Sequence, residues 1–220
     1  MGFAIAGLAG IAYSWNLPNM PKGLALILGF YVLMELLQTV QYSVTNDCEN
    51  PKNRVLTEVA YGFVITQPLL WNLFFMANSN ARERPLFVAG SALAVLWAAM
   101  NLLGRILYTP SNAQTRVDSA FASDKVCTRR GKSHLYWTWT TANLGDMNAN
   151  FLTHLLIWFV PALLSSTHMM TAVLLLGGAG LSLAYGWQFG EPEAMTAAWC
   201  YISIPLLYLI FGKAIFKGVL

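Results

Sequence analysis

Residues Tyr31–Glu58 read YVLMELLQTVQYSVTNDCENPKNRVLTE, a stretch in which Glu35, Gln38, Gln41 and Tyr42 interrupt an otherwise apolar run. Glu35, Gln38 and Tyr42 recur at steps of three and four, so they share one face of a helix. A second stripe, Trp139, Asn143, Asp146, Asn150, His154 and Trp158, recurs at steps of four, three, four, four and four. A carboxyl and an imidazole inside a bundle can pair with each other, trade protons or bind a polar ligand. An ionisable group at mid-membrane costs about 2.5 to 3.5 kcal/mol on insertion scales, so it needs a partner or water. Glu35 and His154 are therefore the central candidate pair for ligand binding. Gln38, Tyr42, Gln67, Asn101, Asp146, Asn150 and Ser203 complete the candidate set.

Structural roles compete at most of these positions. Gln38, Gln41, Asn101 and Asn150 are of the types that act more often as hydrogen-bonding glue between helices than as ligands. Glu58 and Asp146 fall near helix N-termini, where the dipole favours acids. Arg105 is placed to snorkel toward a membrane surface, and Trp and Tyr near span ends serve as interfacial anchors.

The elements that must position these residues follow from composition. Hydrophobic residues make up 56% of the 220, charged residues only 10%, and the mean hydropathy is +0.51. Soluble domains carry about 25% charged residues. The fold class expected is all-α, a polytopic membrane protein forming a seven-transmembrane-helix bundle. The spans are Gly2–Trp15, Gly23–Val44, Val55–Ala77, Leu86–Tyr108, Gly145–Ser165, His168–Trp187 and Ala194–Gly212. Residues 1–220 read as a single domain, with a polar loop at 109–133 capping one membrane face. The first span has no basic residue before it and reads as a helix rather than a cleaved signal. Gly2, Ala6 and Gly10, and again Gly178, Ser182 and Gly186, fall four apart, a spacing that lets helix backbones approach closely.

Alternating spans put the N-terminus and the loops after spans two, four and six on one face, here face A. Measured from the face-A end of its own span, Glu35 lies nine residues from Val44, His154 nine from Gly145, Ser203 nine from Ala194 and Asn101 seven from Tyr108. At the helical rise these four form a layer roughly 10 to 14 Å deep. The face-B halves, such as GLALILGFYVLM and LLIWFVPALL, are almost wholly apolar, with Asn72 the clearest exception. Cys48 and Cys127 both fall in face-A loops, so a disulfide between them would pin the long loop to the start of span three in an oxidising space. Positive-inside counting over all loops puts face A in the cytoplasm, and counting without the long loop reverses it. With the cysteines, the reading leans to face A outside or lumenal.

Several functions are disfavoured. The chain has no G-x-S-x-G, H-E-x-x-H or Walker sequence, so no familiar hydrolase or nucleotide motif applies and a non-enzyme is favoured. His134, His154 and His168 fall at three different depths, which argues against a metal site. A retinal Schiff base would need a lysine near the middle of the last helix, where AMTAAWCYISIPLLYLIFG offers none before Lys213. The basic residues of the long loop alternate with Asp118 and Asp124, which disfavours nucleic acid.

LMELLQTVQY, DCENPKNRVLT, AYGFVITQPLLWN and a Cys followed by GKSHLYWTW resemble an uncharacterised family of small multi-helix membrane proteins, a domain of unknown function. The resemblance covers about two thirds of the chain and implies a fold, with no reaction and no known cofactor. Family members often carry a cysteine after the initiator and a histidine shortly before the Gln-Pro pair. Here those places hold Gly2 and Phe63. The expected function is binding or transport of a small polar ligand or lipid headgroup in a one-sided intramembrane pocket. Alternatives are an accessory subunit of a larger membrane complex, partnered by other membrane subunits and lipid, and a lipid-modifying enzyme using His154 and Glu35.

Overall fold

The computed structural model describes residues 2–15, 20–107, 125–132, 134–140, 148–188 and 195–216, the side chains of 14, 196 and 213–216 excepted. Among them are seven α-helices: α1 (Gly2–Trp15), α2 (Leu24–Gln41, continued by a 3-10 turn at Tyr42–Val44), α3 (Pro51–Ala77), α4 (Arg84–Leu107), α5 (Phe151–Leu163), α6 (Met169–Gln188) and α7 (Met195–Phe216). An antiparallel hairpin of β1 (Cys127–Arg130) and β2 (Leu135–Thr138) lies between α4 and α5 in sequence. Four helical segments, Leu24–Val44, Pro51–Ala77, Arg84–Leu107 and Met169–Gln188, are long and apolar enough to cross a membrane by length and composition. Gly2–Tyr13, Phe151–Leu163 and Ala197–Gly212 are shorter apolar helices.

Two sequence expectations change. The chain is mostly helical, but it is not all-α, because β1 and β2 pair within and just beyond the expected loop. Leu135 and Trp137 are buried while Tyr136 and Thr138 are half-buried, the period-two alternation of a strand. The stripe from Trp139 to Trp158 is also not one helix. Trp139 follows β2, and α5 starts at Phe151, where the Asn150 side chain accepts a 2.7 Å hydrogen bond from the Thr153 N–H and caps the helix. His154 thus sits in the first turn of α5, not nine residues into a span. Asn143, Asp146 and residues 109–124 of the expected cap lie outside the described residues.

The pairs α1–α2 and α2–α3 pack as antiparallel neighbours. Gly7 meets Val32 while Gly10 meets Leu28, and Gln41 bonds Leu56 while Tyr31 meets Trp71, so position rises along one partner as it falls along the other. Contacts of α3 with α5 and of α2 with α7 close the arrangement across its middle. Three prolines sit inside helices, Pro68, Pro161 and Pro205. A helical proline has no N–H to offer the carbonyl four residues back. For Pro161 that carbonyl belongs to Ile157, and the Asn72 amide of α3 donates to it at 3.1 Å. Asn72, the polar exception in the apolar half, is thus accounted for by the carbonyl that Pro161 leaves free.

At one end, the hairpin is bound to α2 and α3 by a buried polar network. Asn53 Nδ2 donates to the carbonyls of Val44 (2.6 Å) and Thr128 (2.9 Å), and Asn53 Oδ1 accepts from the Thr128 N–H at 2.8 Å. Gln41 donates to Thr128 Oγ1 and accepts from the Trp137 indole. The Trp139 indole donates to the Thr57 carbonyl. Asn50, which caps α3 with Pro51 behind it, lies two residues after Cys48, and Cys48 is disulfide-bonded to Cys127.

At the other end the buried Glu83 carboxylate ties two loops. It accepts from Ser165 Oγ (3.0 Å), Ser166 N (2.8 Å) and Ser166 Oγ (2.7 Å) at the approach to α6. His168 Nε2 and Ser79 Oγ, 3.0 Å apart, continue the link to the end of α3. Hydrogen bonds from Thr167 and Ser166 hold the Glu83 carboxyl down to about 2, well below the ordinary carboxylate range.

Asn53→Ala removes both bonds to Thr128 and strands its N–H, so it is expected to cost about 2 to 4 kcal/mol. Loss of the more exposed cap in Asn50→Ala should cost about 1 kcal/mol. Denaturant unfolding in detergent compares the two. Because folding lowers the Glu83 pKa, its stabilisation is complete above the unfolded value and is lost as pH falls toward about 2. Glu83→Gln should flatten the stability profile of the wild type between about pH 4.5 and 2, read by unfolding at a series of pH values.

Candidate functional site

A cavity of about 60 Å³ lies beneath the hairpin, walled by α3, α4, α5, α6 and α7. By volume it has room for more than one water. Among the described residues six aromatic rings line it, Tyr61, Trp97, Trp139, Phe151, Trp158 and Trp199. Trp139, held by its bond to Thr57, belongs to the hairpin side of the wall. His154 lies between two indoles, its ring 5.9 Å from Trp97 and 5.6 Å from Trp158. Trp158 meets Trp199 edge-on at 5.6 Å. Gly178 lets α7 approach α6, because a Cβ there would strike Leu206 and the Trp199 ring.

The eight tryptophans sort by their N–H groups. Trp15 and Trp187 are exposed. Trp71, Trp137 and Trp139 donate to Tyr31 Oη, Gln41 Oε1 and the Thr57 carbonyl. Trp97, Trp158 and Trp199 have buried N–H groups with no hydrogen-bond partner, and all three line the cavity. Trp199 interacts with the Tyr31 hydroxyl but outside hydrogen-bonding geometry, so Trp97 and Trp158 carry the observation most cleanly. His154 Nδ1 in the same wall is also buried without a partner.

Of the residues singled out from sequence, Gln67, Asn150 and His154 line this cavity. Asn101 and Ser203 lie behind it, donating to the carbonyls of Trp97 (2.9 Å) and Trp199 (2.6 Å), four residues back on their own helices. The α2 stripe is elsewhere. Gln38 donates to the Ala197 carbonyl at 3.4 Å, and Tyr42 is exposed beside the His134 ring. Glu35 is buried, with Oε1 unpartnered, within electrostatic reach of Cys200. Glu35 and His154 share no hydrogen bond or ion pair, and Glu35 is not part of the cavity wall. Among the described residues no three His, Cys, Asp or Glu side chains gather to hold a metal.

Sequence reasoning missed Trp97, Trp199 and the setting of Arg105, and it counted Tyr61 only among the polar groups near face A. A tryptophan is ordinary at a span end, but Trp97 falls in the middle of α4, and that position was the available signal. Arg105 does not simply snorkel. Its Nη2 donates to Glu58 Oε1 at 2.7 Å, and its guanidinium carbon sits 4.0 Å from the Tyr61 ring centroid. A wide basin of about 610 Å³ opens above it, lined by Arg54, Glu58, Tyr61, Arg105, Lys125 and Thr140 among others.

Gly178→Ala is expected to destabilise by about 1 to 3 kcal/mol through overpacking against Trp199. Gly177→Ala and Gly180→Ala, where a Cβ meets nothing within 4 Å, should instead stabilise by up to about 1 kcal/mol through helix propensity. Thermal unfolding of the three variants separates a packing role at one glycine from a general need for small residues.

Comparison with curated proteins and with solved structures finds no match. A family model does match, over residues 1–220 rather than the two thirds carried by the motifs alone. The chain belongs to a family of unknown function, DUF5765.

Proposed function

We propose that this is an integral membrane protein crossing the bilayer seven times, which binds a small, largely apolar molecule in the aromatic cavity, reached from the hairpin end. The seven-span reading draws on the course of α5. This short helix begins beside the hairpin at Asn150 and leads to Ser165, bonded to Glu83 at the other end. At the helical rise its 13 residues span only about 20 Å, so the reading rests on what the two ends of α5 meet rather than on its length.

The observation that carries the binding reading is the sorting of indole N–H groups. A buried donor without an acceptor costs about 1 to 3 kcal/mol, which a ligand oxygen lodged in the cavity would recover. Among the described residues of the wall there is no Asp, Glu, Lys or Arg, so the part of the ligand held there is neutral. Beyond the cavity, Trp71, Phe75 and Phe87 are fully buried and pack ring against ring, joined through Trp158 to Phe159. That packing favours a binding or sensing role over a permanent channel. A lipid-modifying enzyme built on Glu35 and His154 gains no support, since the two groups are not in contact.

The test compares 1-tetralone with tetralin, molecules of one skeleton that differ by a carbonyl oxygen, by calorimetric titration of the purified chain in detergent. The ketone is expected to bind about tenfold more tightly, the equivalent of one recovered hydrogen bond. The double variant Trp97→Phe/Trp158→Phe keeps the ring faces and removes the donors, so it should bind both molecules alike. If neither compound binds the wild type, the cavity is packing and the proposal fails.

A further inference from the structure

The basin outside the cavity has no role in the reading above, and its chemistry is the opposite of the cavity's. We propose that it is a subsite for the carboxylate head of a short amphipathic acid whose apolar part occupies the aromatic cavity, an inference that rests on the binding reading of that cavity. Tyr61 lines both spaces. Its ring edge meets Trp139 at a centroid distance of 5.5 Å, and Arg105 lies over its face. One ring therefore separates a charged compartment from an uncharged one, and a ligand spanning it would place an anion and an apolar chain on the matching sides.

Arg105 is the group that would receive the head. Its side chain is only 9% exposed, against 38% for its partner Glu58. The guanidinium spends Nη2 on Glu58 and a longer 3.5 Å contact with Thr140, while Nε is buried with no partner at all. A guanidinium offers its donors as a fork that fits a carboxylate through two parallel bonds, and here one side of that fork is unfilled. Arg54 stands at the same basin with no ion pair among the described residues, and Lys125 is paired with Glu49 at 2.6 Å. Among the described residues three basic groups face two acids across the basin, a balance that favours an anion. Glu58 is the internal competitor: it occupies the guanidinium that the ligand head would take. A free anion would fill the basin but gain nothing from the cavity behind Tyr61, which is why the head and the apolar part are assigned to one molecule.

Bromine quenches tryptophan fluorescence on contact, and four of the eight tryptophans line the cavity, so brominated probes report occupancy there. The probes are 6-bromohexanoate and 6-bromohexan-1-ol, titrated into the purified full chain in detergent at neutral pH. Saturable quenching by the acid is expected at about tenfold lower concentration than by the alcohol, the effect of one charge-assisted contact. Arg105→Gln should erase that preference. Glu58→Gln, which removes the competitor and leaves Arg105 in place, should tighten the acid and leave the alcohol unchanged, and it carries the test if Arg105→Gln does not fold. Acetate at the same concentration should displace neither probe.

The inference is overturned if acid and alcohol quench alike, if Glu58→Gln leaves the acid's affinity unchanged, or if acetate displaces the acid, which would mark a site for free anions. Absence of quenching by either probe while 1-tetralone still binds would overturn it as well, since cavity and basin would then be unconnected. Absence of both quenching and tetralone binding would instead bring down the cavity reading on which it rests.

Discussion

The two-way pairing of the Asn53 amide with the backbone of Thr128 is the interaction on which the remaining architecture depends. A strand edge carries backbone donors and acceptors that must be satisfied when it is buried. Asn53 meets both needs of Thr128 from within α3, and Gln41 and Thr57 bond its hydroxyl. With that segment fixed, Trp137 and Trp139 fall where Gln41 and Thr57 can receive their N–H groups, and Trp139 becomes part of the cavity wall. The roof of the cavity is thus a consequence of hydrogen bonding at the ends of α2 and α3.

The two ends of the molecule solve the same problem with different chemistry. At the hairpin end, neutral amides and hydroxyls satisfy one another in a buried network, with ion pairs only at its margin. At the opposite end a single carboxylate collects the donors of the turn before α6. Between them, Asn72 answers the carbonyl freed by Pro161, so even the apolar half contains a polar repair beside its proline. Among the described buried indoles, only those around the cavity are left unanswered, most cleanly at Trp97 and Trp158. The contrast within one molecule gives those two groups their weight.

Composition and apolar runs made the helices legible, since their period and length survive any uncertainty about depth. The expected third span begins at Val55, four residues inside the helix that Asn50 and Pro51 start, while the loop cysteines fall on one side, where the disulfide is found. The site was less legible. Equal depth for Glu35 and His154 was counted on the assumption that span five is helical from Gly145, whereas α5 begins at Phe151. The segment Leu135–Trp139 sets Leu135, Trp137 and Trp139 against Tyr136 and Thr138, and such residues satisfy a strand period as readily as a helical one. Lateral placement was beyond reach for a further reason. Residues of α2 and α5 at similar depth still face different neighbours, because α7 packs against α2 and α6 against α5. Polar side chains stood out in the apolar sequence, whereas the wall of the cavity is made of aromatics, which no local signal distinguishes from core.

The disulfide joins positions 79 residues apart, and α5, α6 and α7 all follow the second cysteine. In a chain synthesised from its N-terminus, the hairpin can therefore settle onto α2 and α3 while the last three helices are still to come. Those late helices supply His154, Trp158 and Trp199. The compartment would then be finished from the side, by walls arriving against a ceiling already in place, and a lodger too bulky for the finished opening could be enclosed during manufacture.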